Sequence, residues 1–371
     1  MLVLVANLGS TSFKFKLLDM DAGGDEVARG AYERIGQPGS PYKSHADVID
    51  VILKELKHKP DAIGFKAVHG GPISGAVRVT DEVIAIQEQF ADVAPAHNPA
   101  YIAAMKAFRQ KLPNVPQVAA FETAFHQTIP LARQVYAIPH EWTEKFGIRR
   151  YGFHGASHRY ISWRVPELVG KDKSRRVISC HLGGSSSICA IQDGKSIANS
   201  FGMTAQSGLP HNNRAGDFDT FAILKLQAEG LKLEDIFKRL SKDGGLLGMS
   251  GVSADLRDIE KAAGEGNVRA QLAIDAFVES IRHYVGAYLV ALGGCDVLVF
   301  TGGIGENGIK IREAVCRNLE FAGIYLDTTK NQVRGKETEI SAVESDVAIW
   351  VVPTNEELVV ATLTVNVLSV N

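Results

Sequence analysis

One stretch of this chain occurs twice. Val-Ala-Asn-Leu-Gly-Ser-Thr-Ser-Phe-Lys-Phe-Lys-Leu-Leu-Asp, from Val5 to Asp19, returns as Ser-Cys-His-Leu-Gly-Gly-Ser-Ser-Ser-Ile-Cys-Ala-Ile-Gln-Asp, from Ser179 to Asp193. Each copy is an apolar run, a cluster of Gly and hydroxyl residues, and a second run of period two, which spells a β-hairpin with a small-residue turn. Such turns present backbone N–H groups and hydroxyls, and Gly lets a phosphate approach the main chain. Either copy alone is an ordinary tight hairpin. Together they predict two related domains gripping one phosphate chain from opposite sides.

A chain of 371 residues is long enough for two such domains with substantial cores. Its 42 acidic and 40 basic residues leave a net charge of −2, which gives no electrostatic footprint for nucleic acid or an anionic membrane. The opening MLVLVANLGS lacks a basic n-region and reads as a buried first strand, not a signal peptide. The apolar stretch 285–300 is broken by Gly293, Gly294 and Asp296 and is too short to span a bilayer. A soluble, cytoplasmic protein is expected. Cys180, Cys189, Cys295 and Cys316 show no C-x-x-C spacing and sit among apolar residues, so they read as buried thiols.

Strand-like runs at residues 2–5, 13–18, 63–68, 118–121, 177–180, 188–191, 297–301 and 347–352 alternate with helical patterns, the signature of an α/β protein. Asn98-Pro99 is a cap followed by proline and opens a helix through Ala104 toward Lys111. Between Asn267 and Leu292 the apolar residues Leu272, Phe277, Ile281, Val285, Tyr288 and Leu292 predict one face of a long helix. The tail after Glu357 has strand-like composition and equally suits a helix. No linker marks a boundary, so the repeat places it at 149/150, giving domains 1–149 and 150–356, with 357–371 completing the first.

Three further Gly-rich segments lie in the second half. Gly302–Asn307 follows the apolar run 297–301, at a strand's carboxyl end, where open α/β sheets bind ligands. Residues 244–250 and 251–257 also precede or open helices, and such junctions offer unpaired N–H groups to anions or serve as plain connections. No G-x-x-x-x-G-K-[ST] occurs, so bound ATP would not use a P-loop. Histidines recur in unusual settings. His69 and His154 sit against glycines and are functional candidates, whereas His97, His126 and His158 read as satisfied core groups.

The segments NLGSTSFKFKLLD, KAVHGG, APAHNPA, FETAFHQTIP, YGFHGASH, ISCHLGGSSSI, GLLGMSGVSADLRDIE, FTGGIGENG and PTNEELVVA together resemble the acetate/propionate/butyrate kinase family, collinearly from Asn7 to Ala361. That family belongs to the superfamily of sugar kinases, actin and heat-shock chaperones. The resemblance implies a duplicated ribonuclease-H-like (actin-like ATPase) α/β fold with the active site in an interdomain cleft, ATP/ADP and Mg²⁺ as cofactors, and a homodimer. By position it implies that Asn7, Ser10, Ser12 and Lys14 belong to the first phosphate hairpin and His181, Gly183 and Gly184 to the second. Asp255, Leu256, Arg257, Gly303, Ile304 and Asn307 match segments around adenosine. Asn7, Glu122 and Glu356 match groups tied to Mg²⁺, while His154, Arg214, Glu122 and Lys66 match catalytic groups. Lys66, Val68, Ala96, Phe153 and Ala205 match the site of the acid. A metaphosphate-like transition state spreads charge over equatorial oxygens, which is why donors and cations must surround it.

Departures mark this chain as a divergent member. Lys66 stands where the family has arginine, and keeps the charge without the planar fork. Glu122 replaces an aspartate, and Pro210-His211-Asn212-Asn213 replaces Met-Met-Gly-Thr ahead of Arg214. Ala96 and Ala205 replace a leucine and a proline of the acyl pocket, while Val68 and Phe153 keep the rest. The expectation is reversible, ATP- and Mg²⁺-dependent phosphorylation of a small carboxylate, with an acid longer than acetate preferred. A carboxylate is already ionised at pH 7, so Glu122 is expected on Mg²⁺ or its waters and not as a base. A kinase of a hydroxylated or longer substrate, and a catalytically weak ATP-binding regulator, stand as alternatives.

Overall fold

The computed structural model describes residues 1–71, 73–89 and 98–370. Among these, one six-stranded sheet holds β1 (Leu2–Gly9), β2 (Ser12–Asp19), β3 (Asp25–Glu33), β4 (Ala62–Ala67), β5 (Ala76–Arg78) and β6 (Gln117–Phe121) in the order β3-β2-β1-β4-β6-β5. A second holds β7 (Arg176–His181), β8 (Ser187–Gln192), β9 (Lys195–Asn199), β10 (Val297–Thr301), β11 (Thr338–Glu339) and β12 (Ala348–Val351) in the order β11-β12-β10-β7-β8-β9. Reversed, that is the first order with every strand advanced by six places. Strand directions agree as well. An antiparallel meander of three strands leads into two parallel neighbours and ends on an antiparallel edge strand in both sheets. Each meander also carries a bulge near the end of its second strand, between Leu17 and Leu18 and between Ala190 and Ile191. The repeated sequence is thus a repeated topology. The turns differ, since Gly9 pairs with Ser12 across a tight turn whereas His181 pairs with Ser187 across the longer loop 182–186.

The chain divides into two compact units, Met1–Gln127 with Gly155–Tyr160 and Asn355–Asn371, and Thr128–His154 with Ile161–Thr354. This differs from the expected division at 149/150, and the hydrogen bonds give the reason. Thr128 Oγ1 donates to Ser196 O at 2.7 Å, Arg133 reaches Ile197 O and Ala291 O at 3.3 Å each, and Tyr136 OH accepts from Met203 N at 3.0 Å. Those contacts fasten the segment 128–154 to the second sheet's surroundings.

Each unit has its own core. In the second, the helix Val268–Leu292 lies across the sheet, capped by Asn267, which accepts from Ala270 N at 3.0 Å, and ended by Gly293 at φ +67°. Phe277, Ile281, Val285, Tyr288 and Leu292 are buried as expected, but Leu272 is 61 % exposed. Five residues separate it from Phe277, which puts it about 140° out of phase on a 3.6-residue helix. Ala270 and Ala273 take the inward positions instead.

In the first unit, the ambiguous tail forms the helix Glu356–Ser369 and packs on the first sheet. Asn355 caps it through Leu358 N at 3.2 Å, and two glutamates occupy its first turn. Its approach explains Gly64 in β4, where a Cβ would come within 2.5 Å of Thr364 Oγ1. All four cysteines are free and buried. No helix among the described residues is long and apolar enough to cross a membrane.

Candidate active site

In the first unit, the carboxyl ends of the adjoining parallel strands β1, β4 and β6 bring forward Asn7, Lys66 and Glu122. The C-terminal helix adds Glu356 from its first turn. The Lys66 ammonium is ion-paired with Glu356 and lies 3.7 Å from Glu122 Oε1. Side-chain exposures of 17 %, 6 % and 12 % for Lys66, Glu122 and Glu356 put the cluster out of bulk water, where its charges interact strongly. Burial alone would lower the lysine pKa, but Glu356 and then Glu122 outweigh it and hold Lys66 charged, above its ordinary value. Burial raises the Glu122 carboxyl above its usual range against the pull of Lys66, and the charge of Glu356 raises it further. The amides of Ala156 and Gly155 lower it, although neither buried carboxylate oxygen completes a hydrogen bond. Gly155 is required here, because a Cβ would fall 2.0 Å from Glu122 O.

Tyr101, on the helix Asn98–Lys111, was not singled out in the sequence. Its hydroxyl accepts from Leu8 N at 3.0 Å and donates to Asn7 Oδ1 at 3.5 Å, so a fully buried ring orients a candidate ligand. A tyrosine on an apolar helix face carries no sequence signal beyond core packing. Asn98 likewise donates to His69 O at 3.2 Å, and His69 Nδ1 accepts from Gly71 N at 2.9 Å, shaping its own turn. His126 and His158 are buried with rings 5.9 Å apart. In the first hairpin Ser10 is exposed at the turn, Lys14 is exposed opposite Asn7, and Ser12 Oγ would lie 2.6 Å from a Cβ on Gly9. Val68, just past β4, packs on the first core. Ala96 and His97 lie outside the described residues.

In the second unit, His154 occupies the left-handed region at φ +55° just before the helix Gly155–Val169. Its Nδ1 meets Ser187 Oγ at 2.8 Å, and its ring lies 4.1 Å from that of His181 and 5.1 Å from Phe201. Phe153 is buried edge-on to Phe201 at 5.5 Å, with its backbone bonded by the Asn199 amide. Arg214 donates to the carbonyl of Ala205, a half-buried residue. Burial lowers the Arg214 pKa to about 10, and no carboxylate pairs with this guanidinium among the described residues. A half-buried cation without a counter-charge among the described residues suits an anion.

The segment Gly302–Asn307 forms a short helix docked on the second hairpin. Ile304 N and Gly305 N both donate to Leu182 O, at 2.8 and 3.1 Å, and a Cβ on Gly183 would lie 3.9 Å from Gly303 N. Glu306, absent from the sequence candidates, accepts from Gly302 N at 2.9 Å and Thr354 N at 3.2 Å, tying this turn to the strand β12 exit. Asn307 Nδ2 folds back on Gly303 O at 2.9 Å. Asp255 caps the helix Leu256–Gly264, and its hydrogen bonds from the Arg257 side chain pull its carboxyl down to about 2. Leu256 is buried in the second core. A groove of about 640 Å³ among Glu260, Asp275, Glu279, Lys310 and Arg317 lies in the same unit and is lined by none of the candidate residues.

Two sheets of one topology, each ending its parallel strands in charged or glycine-rich turns, make up the duplicated actin-like ATPase fold. The acetokinase family profile matches residues 41–362. An acetate kinase of Dictyoglomus turgidum is 45 % identical over an alignment 396 positions long, covering 99 % of this chain and 98 % of that one. The crystal structure of Porphyromonas gingivalis acetate kinase superposes with a TM-score of 0.92 at 44 % identity, covering 99 % and 100 %. A propionate kinase from Francisella tularensis gives 0.91 at 36 % identity, covering 98 % and 99 %. The chain belongs to the acetokinase family and is a phosphotransferase with a carboxyl group as acceptor.

Proposed function

We propose that this chain transfers the γ-phosphoryl group of ATP, with Mg²⁺, to the carboxylate of a small acid, and that it favours an acid longer than acetate. A carboxylate oxygen attacks the γ-phosphorus, the bond to the β,γ-bridging oxygen breaks, and ADP leaves with that electron pair. No proton moves, because the acid enters ionised. The observation that carries the reading is Arg214, a half-buried guanidinium with no carboxylate partner among the described residues, whose charge suits the equatorial oxygens of a transferring phosphoryl. His154, fixed by Ser187, supplies a second donor to the same oxygens. Lys66 keeps ammonium donors beyond its bond to Glu356 and orients the acid. The hairpin amides around Gly183 and Gly184 hold the phosphate chain.

The fit to a divalent cation rests on Glu122 and Glu356. A buried carboxylate and a partly buried one share one ammonium, and both Glu122 oxygens lack a hydrogen-bond partner, the character of a hard-cation site. Glu356, Glu122 and the Asn7 amide would hold Mg²⁺ directly or through water. Bound there, it neutralises charge on the phosphates.

The preference in acid rests on the family resemblance, by which Ala96, outside the described residues, and Ala205 stand where the family's acyl pocket has a leucine and a proline. Together they remove about five carbons of wall, each buried methylene being worth roughly 0.8 kcal/mol. A chain longer by one to three carbons then recovers about 1–3 kcal/mol, a preference of roughly 10- to 200-fold. The test is kcat/KM across acetate, propionate, butyrate, isobutyrate and valerate. Acetate ranking first would overturn the enlarged pocket and leave the alanines as packing changes.

A further inference from the structure

The loop that replaces Met-Met-Gly-Thr carries a side chain that the reading above leaves unused. His211 is fully buried, and its Nδ1 accepts from Ser186 N at 3.0 Å, inside the hairpin loop 182–186. The next residue adds a second hook, since Asn212 N donates to Gly184 O at 3.1 Å. The loop itself is tied down by backbone hydrogen bonds. Leu246 N, Leu247 N and Gly244 N donate to the carbonyls of His211, Asn212 and Asn213 at 2.8, 2.8 and 3.1 Å, and His211 N donates to Arg214 O at 3.0 Å. Gly245 lets this segment approach, because a Cβ there would fall 2.1 Å from His211 O.

The opposite face of the ring stacks on Phe201, with centroids 5.2 Å apart and planes at 19°. Phe201 in turn meets His154 edge-on, and Ser187, the neighbour of Ser186, bonds His154. One imidazole therefore touches both the hairpin that offers amides to phosphate and the platform under His154.

Resting on the proposed kinase reading, we infer that His211 is a positioning residue that shapes the second phosphate loop by accepting the Ser186 amide, and that it thereby sets affinity for the nucleotide and not for the acid. A buried N–H deprived of its acceptor is costly, so the loop rearranges when that acceptor is lost. The ring stack alone cannot supply this function.

Two substitutions separate the parts. His211→Phe keeps a ring on Phe201 and removes the acceptor, whereas His211→Asn places an amide oxygen near the position of Nδ1. Calorimetric titration of each variant with a non-hydrolysable ATP analogue and Mg²⁺ should show about 10- to 100-fold weaker binding for His211→Phe, and His211→Asn within about threefold of the parent. KM for the best acid should stay within about threefold in both. A His211→Phe protein that keeps parental affinity, or equal losses in both variants, overturns the inference. Nitrogen-15 spectra of the unmodified protein test it without substitution, and should show His211 as the Nε2–H tautomer with Nδ1 unprotonated; a protonated Nδ1 overturns it. A parent that fails to bind the nucleotide would sink the kinase reading itself.

Discussion

Lys66, near the end of β4, is ion-paired with Glu356, the first residue of the C-terminal helix, and the pair joins a strand and a helix that are distant in sequence. Removing one partner of a buried pair leaves the other charge poorly compensated, at a cost of about 3–5 kcal/mol. Glu356→Ala should therefore lower the melting temperature and, by the metal role proposed for this carboxylate, cut turnover by orders of magnitude. Thermal melts and steady-state rates check both. Near-parental turnover would remove Glu356 from the metal site.

Arg214 pairs with no carboxylate among the described residues, and burial lowers its pKa, so its charge costs stability in the resting protein. Arg214→Leu should raise the melting temperature or leave it unchanged while lowering kcat by about 10²–10³. His154→Ala should lower kcat similarly, with KM for ATP changed little, as befits groups that act on the transition state. An effect confined to KM would make them ground-state binding residues.

Two glycines with opposite surroundings should respond in opposite directions. A Cβ at Gly155 would collide with the Glu122 carbonyl at 2.0 Å, so Gly155→Ala should destabilise the fold by about 1–3 kcal/mol or more and displace Glu122. Gly264, at the end of a helix, meets nothing within 4 Å, and Gly264→Ala should stabilise by about 0.4–1 kcal/mol. Denaturant melts of the two variants decide the matter.

Much of this was legible because local chemistry dictates it. The Gly/Ser turns announced both hairpins, and Asn98-Pro99 announced the helix Asn98–Lys111. The edge strand β3, DEVARGAYE, was missed because it alternates charge with small residues and buries little. Leu272 misled because an apolar side chain at the wrong helical phase looks like core. The tail after Glu357 was undecided because its β-branched residues suit either element, and the Asn355 cap with tertiary packing on Gly64 decided for helix. Lys66, Glu122 and Glu356 could be named from motif positions, yet their meeting on one ammonium depends on strand order, which no short motif encodes. The same holds for Tyr101, Glu306 and His211, whose partners come from remote segments.

Burial, followed by the neighbouring Arg214 charge, pushes the His211 pKa down from 6.5 to about 3. Between those values the unfolded chain binds a proton that the folded protein refuses, so stability is complete above pH 6.5 and is lost as pH falls toward 3. The full effect is on the order of 5 kcal/mol. His211→Phe lacks it, and the stability gap between parent and variant should narrow on acidification from pH 7 to pH 4. A gap independent of pH would mean that His211 is not held neutral by the fold.

In the proposed reaction the phosphoryl group of ATP passes to a carboxylate. Phosphorus-31 NMR of the protein with ATP, Mg²⁺ and propionate or butyrate tests it most directly, with hydroxylamine added afterwards to trap the product. An acyl-phosphate resonance should grow in step with ADP, be absent without the acid and be converted to hydroxamate by the trap. ADP accumulating with free phosphate alone, at the same rate with and without every acid tried, would contradict it.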